Sequence, residues 1–208
     1  MPRITALEKQ RRRPGRVSVF VDGSFAVGLS AEAARELGLE VGRDLGEDEL
    51  RALALAHEAD RAYERATRYL RARPRSRAEI ERRLERYGYG DDVIRHVLAR
   101  LRERGFVDDR AFAGAWVRDR ARLRPKGRRA LRAELGAKGV SREDVEAALE
   151  DNLGETEEEL ARRALAPRLT AMRAKAEGKG RAAALSFLAR RGFDAALARR
   201  LAQEVFSS

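Results

Sequence analysis

Apolar positions along this chain fall into two patterns. From Val17 to Val27 two β-prone runs flank Asp22-Gly23, a pair that accepts positive φ at both central positions of a tight turn. This predicts a β-hairpin. Ser30 can cap a short helix running through Leu37, with Gly38 ending it. From Glu47 onward the spacing becomes helical. Leu50, Leu53, Ala54, Ala59, Tyr63, Ala66 and Leu70 share one face, carboxylates at Glu47, Asp48 and Glu49 favour the first turn, and Pro74 stops the run.

Beyond Pro74 the pattern repeats. Ser76 and Glu79 form an S-x-x-E capping box ahead of Ile80 and Leu84, Gly88 ends that helix, and Ile94, Val97, Leu98 and Leu101 line the next. A second copy reads Leu131, Leu135, Gly139, Val140, Val145, Leu149, and a third Ala184, Leu188, Gly192, Phe193, Leu197, Leu201. The stopping glycines recur about every 50 positions, a period that marks repeat architectures. In each copy a Leu lies four residues before the Gly and an apolar residue directly after it. Physically, Gly supplies a left-handed cap and the following side chain inserts between the joined helices. A longer helix precedes each pair, over 60–73, 109–123 and 157–173.

The predicted fold is therefore mainly α: three tandem three-helix repeats in an elongated, curved array, with a small N-terminal β-hairpin region. Residues 1–46 form a mobile basic arm, the hairpin and the short helix. Residues 47–105 hold a linking helix and the first repeat, 106–152 the second and 153–208 the third. In the third, Pro167 interrupts the first helix, and the connection after Gly192 reads one residue shorter than its counterparts.

Composition sharpens this. Charged residues make up 38% of the 208, and 45 Lys and Arg face 34 Asp and Glu, for a net charge of +11. That balance points to nucleic acid or an acidic protein surface as partner. There is no cysteine, so disulfides and thiolate chemistry are excluded. No apolar stretch reaches the roughly 20 residues a membrane span needs, and the expected location is the cytoplasm. His57 and His96 lack partners at a telling spacing, Gly23–Ser30 lacks the lysine of a phosphate loop, and paired acids fall at helix starts. The expectation is a monomeric binding protein with no catalytic residues, metal or cofactor.

The basic run is the candidate site. Arg118, Arg120, Arg122, Arg124, Lys126, Arg128, Arg129 and Arg132 cluster around Pro125 and Gly127, where one helix stops and the next begins. Arg128 and Arg132 share a helix face, and guanidinium groups suit bidentate pairing with phosphate or carboxylate. Trp116, four residues after Phe112, reads as core.

The stretch Gly105-Phe106-Val107-Asp108-Asp109-Arg110-Ala111-Phe112-Ala113, then Trp116-Val117-Arg118, Arg120, Arg122, Gly127-Arg128-Arg129, Leu131, Glu134-Leu135 and Lys138-Gly139-Val140, resembles the RecX family of regulators of the RecA recombinase. Tyr69-Leu70, Ser76, Glu79-Ile80, Leu84 and Gly88-Tyr89 extend the likeness upstream. The resemblance implies a non-enzymatic array that lodges in the groove of the filament of RecA on single-stranded DNA. It also implies inhibition of strand exchange and of the filament's ATP hydrolysis and coprotease activities, with effects on recombination and repair. Partners would then be the recombinase filament and single-stranded DNA, with double-stranded DNA left open. The alternative is a helical protein that binds bare DNA directly as a transcriptional regulator.

Overall fold

The structure, a computed structural model, describes residues 1–175 and 178–206. It begins with three antiparallel strands, β1 (Ile4–Lys9), β2 (Arg16–Val21) and β3 (Ser24–Ser30), in that order across the sheet. The Asp22-Gly23 turn is as expected, with φ of 50° and 81°. The mobile arm is not. Residues 4–9 pair with β2, Leu7 opposite Val19 and Lys9 opposite Val17, and Ile4 is buried with Val19, Leu29, Leu45 and Leu53. The hairpin alone would leave the outer edge of β2 unpaired, and β1 pairs with that edge.

Helix α1 (Ala31–Glu36) starts at Ser30, whose Oγ accepts from Ala33 N at 3.1 Å. Helix α2 then runs unbroken from Glu47 to Leu70. The linking helix and the expected helix over 60–73 are thus one element, because nothing between them breaks the pattern. Asp60 lies mid-helix and only 3% exposed. It accepts from the backbone N–H of Ser30 and, at 2.9 Å, from Arg100, which also binds Glu32 at 2.7 Å. A carboxylate buried this deeply is tolerated only with such partners.

The remaining helices are α3 (Arg77–Glu85), α4 (Asp91–Glu103), α5 (Asp109–Leu123), α6 (Arg128–Ala137), α7 (Arg142–Asn152), α8 (Glu157–Leu165), α9 (Leu169–Arg173), α10 (Lys179–Arg190) and α11 (Ala195–Phe206). A short 3-10 turn at Ala166–Arg168 separates α8 from α9, where Pro167 withholds a backbone donor. The chain divides into two compact units, residues 1–74 with 80–107, and residues 75–79 with 108–208. In the first, α2, α3 and α4 bury Ile80, Leu84, Val97 and Leu101. In the second, the helices of two repeats share one core that includes Leu131, Leu135, Leu149, Leu160, Leu188 and Leu201. Among the described residues no helix is long and apolar enough to cross a membrane.

The three glycine corners are built alike. Gly88, Gly139 and Gly192 have φ of 81°, 77° and 76°. The next residue's N–H returns to the leucine four before the glycine: Tyr89 to Leu84 at 3.3 Å, Val140 to Leu135 at 3.1 Å, Phe193 to Leu188 at 3.2 Å. The following helix is capped two residues past each glycine, by Gly90, Ser141 and Asp194. The connection after Gly192 is therefore not shorter; its Asp, accepting from Leu197 N at 3.0 Å, holds the same place as Ser141.

Two corners do a second job. Ser76 Oγ donates to the carbonyl of Lys138 at 2.6 Å, and a Cβ on Gly139 would overlap that of Ala78. Likewise Gly127 N donates to the carbonyl of Arg191 at 3.0 Å, and a Cβ on Gly192 would overlap the backbone nitrogen of Ala130. Each corner sits against the first turn of the middle helix of the preceding repeat. At Gly88 nothing lies within 4 Å of the added carbon. Gly88→Ala should then cost only the left-handed strain, about 1 kcal/mol. Gly192→Ala, which adds a backbone overlap, should cost about 3 kcal/mol or more. Denaturant unfolding followed by circular dichroism ranks the two; equal losses would contradict the docked-corner account.

Candidate functional site

The basic run spans the end of α5 and the start of α6. Arg124 leaves helical geometry at φ −149°, ψ 73°, as expected of the residue before a proline. Gly127 then opens α6 in extended conformation with no capping side chain. This corner aims the eight predicted cations in several directions.

Three of them face carboxylates directly. Glu134, in the second turn of α6, accepts from Trp116 Nε1 at 2.8 Å and Arg120 Nε at 3.0 Å, and it pairs with Lys126 Nζ. Arg120 also lies over the Trp116 ring, 4.1 Å from its centre, a distance at which the ring face attracts the cation. Lys138 covers the same ring at 4.5 Å while pairing with Glu79 at 3.1 Å. Arg132 is held by both oxygens of Glu146 at 2.7 and 2.8 Å, and this bond keeps the Glu146 carboxyl below its ordinary range. Burial first, then Arg120, Arg191 and Arg124, push the Lys126 amine below its ordinary value.

The other five are more available. Arg118 donates to Asn152 Oδ1, and Arg122 lies 4.0 Å from Asp119 with both side chains largely exposed, a pairing worth little in water. Arg128 donates its backbone N–H to Glu157 at 3.1 Å. Among the described residues no carboxylate pairs with the side chains of Arg124, Arg128 or Arg129. Trp116 is half-buried against the core, its ring faces covered by its own protein's cations. His57 Nδ1 lies 2.9 Å from the Gly28 carbonyl, and His96 is exposed on α4.

Spacing could not place the cations that α8 and the end of α10 bring to this corner. Arg191 Nη1 donates to the Pro125 carbonyl at 3.1 Å, and Arg163 donates to the carbonyl of Ala121. Only the docking of one repeat on the next joins residues so far apart, and the one hint is that Arg191 directly precedes the glycine of the third corner.

A curated relative from Thermobifida fusca, named "Regulatory protein RecX", is 42% identical over 137 residues, which cover 66% of this chain and 74% of that one. This chain belongs to the RecX family of regulatory proteins. Family profiles agree piece by piece. The RecX N-terminal domain matches residues 2–46, the first RecX three-helix domain 62–101 and the second 108–149. A RecX protein of Limosilactobacillus reuteri is 29% identical over 163 residues, and the match spans 61% of that relative's length. The crystal structure of a regulatory protein RecX aligns with a TM-score of 0.80 at 26% identity, over 95% of this chain and 97% of its own. RecX from Lactobacillus salivarius shares the fold, with a TM-score of 0.57 over 71% of this chain.

In this RecX-family chain Glu134 is the residue on which the inner half of the basic run converges. Glu134→Gln keeps the shape and removes the charge, leaving two part-buried cations uncompensated. Stability should fall by about 2 kcal/mol, with a shift in the emission of the single tryptophan. An unchanged unfolding midpoint and spectrum would show that the network is ornamental to the fold.

Proposed function

We propose that this protein regulates a RecA-type recombinase by lodging in the groove of the recombinase filament on single-stranded DNA, and that the effect is inhibitory. Membership of the RecX family is the observation that carries the reading, together with the middle motif from Gly105 to Val140. What supports a groove-binding mode is a set of tandem repeats that offer cations from several elements. Arg124, Arg128 and Arg129 project from one corner without carboxylate partners among the described residues. Contacts of modest strength, spread over several subunits of a filament, add through effective concentration rather than through one tight site.

Added to preassembled filaments, the protein should slow their DNA-dependent ATP hydrolysis at substoichiometric amounts; full hydrolysis at a large excess contradicts the proposal. The basic run itself is tested by contrast. Arg128→Ala with Arg129→Ala should raise the amount needed for half-maximal effect by about fivefold. Arg132→Ala should change it less, because its guanidinium is already committed to Glu146. Equal effects from the two would mean that pairing within the protein does not decide which cations reach the partner.

A further inference from the structure

Within the second unit, a concave pocket of about 620 Å³ opens where the end of α5, the break between α8 and α9, and the end of α10 meet. Pockets of this size suit small ligands or one residue of a polymer. Its walls carry Arg122, Arg124, Arg163, Arg168 and Arg191, and among the described residues no acid lines it. Arg163 is partly committed, pairing with Glu155 at 2.6 Å. No carboxylate pairs with Arg124, Arg168 or Arg191 among the described residues.

Two of these cations are held, not merely crowded. Arg191 is anchored through Pro125 O, and its guanidinium lies 5.1 Å from the centre of the Phe187 ring; Arg168 lies 5.0 Å from the same ring. Burial, then the charges of Arg168 and Arg124, lower the pKa of Arg191 from its ordinary value. Such a cluster is costly when empty and favourable when an anion enters. Leu123, beside it, is 65% exposed, an apolar side chain with no partner of its own.

We propose that this pocket seats a backbone phosphate of single-stranded nucleic acid between Arg124, Arg168 and Arg191, with the adjoining sugar or base against Leu123. Three planar forks around one cavity suit the oxygens of a phosphodiester. An apolar neighbour that accepts any sugar or base face fits sequence-independent binding of a single strand. The proposal rests on the filament reading for its choice of nucleic acid, and it joins Arg124 of the basic run to two arginines that lie outside it, Arg168 and Arg191.

The test is fluorescence anisotropy of the full chain with a labelled oligothymidylate, measured from about 50 to about 200 mM salt. In Arg124→Gln with Arg168→Gln, both exposed, affinity should fall about tenfold and the salt slope should flatten by roughly one unit. Ala171→Glu places a carboxylate on the pocket wall without removing any arginine, and should weaken binding in the same direction. Arg95→Gln with Arg102→Gln removes the same charge from α4 and should leave affinity within about twofold. Thermal midpoints confirm that all three variants fold. Pocket variants that bind like the α4 control overturn the assignment. Variants that keep oligonucleotide affinity but lose their effect on filaments also overturn it, by assigning the pocket to an acidic protein surface. A wild-type chain that binds oligonucleotide through the pocket yet leaves filament hydrolysis untouched upholds the pocket and removes the filament reading instead.

Discussion

Backbone meets backbone where one repeat docks on the next, and the second unit depends on that approach. Glycine is required at Gly192 twice over: for a left-handed φ of 76°, and because the backbone of Ala130 lies where a Cβ would go. The same contact gives the first turn of α6 a partner, since Gly127 N donates to the Arg191 carbonyl and one of the orphan donors of a helix start is satisfied. The first turn of α3 meets the second corner through the Ser76 hydroxyl, which takes the place of a backbone donor. Small residues, Ala78 and Ala130, stand opposite the two glycines. A larger side chain on either side would overlap the residue opposite it.

The placement of charge follows from the same contact. Because the Arg191 carbonyl binds Gly127 and its guanidinium binds Pro125, the third repeat delivers a cation to the end of α5 in a fixed position. Arg168 arrives by a different route, through the break that Pro167 makes between α8 and α9. Sequence-local acids meanwhile draw Arg120, Lys126 and Arg132 into the protein's own network. The excess of positive charge is thereby sorted. Part of it braces α5 against α6 and α7, and part is left facing outward.

Much of the fold was legible because it is written in local signals. The Asp22-Gly23 turn, the Ser30 cap, the Ser76 and Glu79 box and the three glycine corners each rest on neighbours within a few residues, where turn and cap chemistry decides the outcome. What stayed hidden rests on distant pairing. Strand β1 carries too much polar and charged sequence to announce itself, and it forms because β2 offers an edge and Ile4 reaches the core. Nothing in its neighbours marks Asp60 as buried, since its partners Ser30 and Arg100 lie far from it in sequence. The candidate site divides the same way: the basic run was visible as a run, but which of its members are spent on Glu134 and Glu146, and which are joined by Arg168 and Arg191, depends on how two repeats pack.

Because the sequence contains no cysteine, a single introduced thiol can report where this surface goes. A photo-crosslinker on Ala171→Cys, at the pocket wall, is compared with one on Arg95→Cys in α4, each on the full chain bound to a RecA filament on single-stranded DNA. The account predicts crosslinks from position 171 to the DNA strand, well above those from position 95. Crosslinks to DNA from position 171 no more abundant than from position 95 would contradict it.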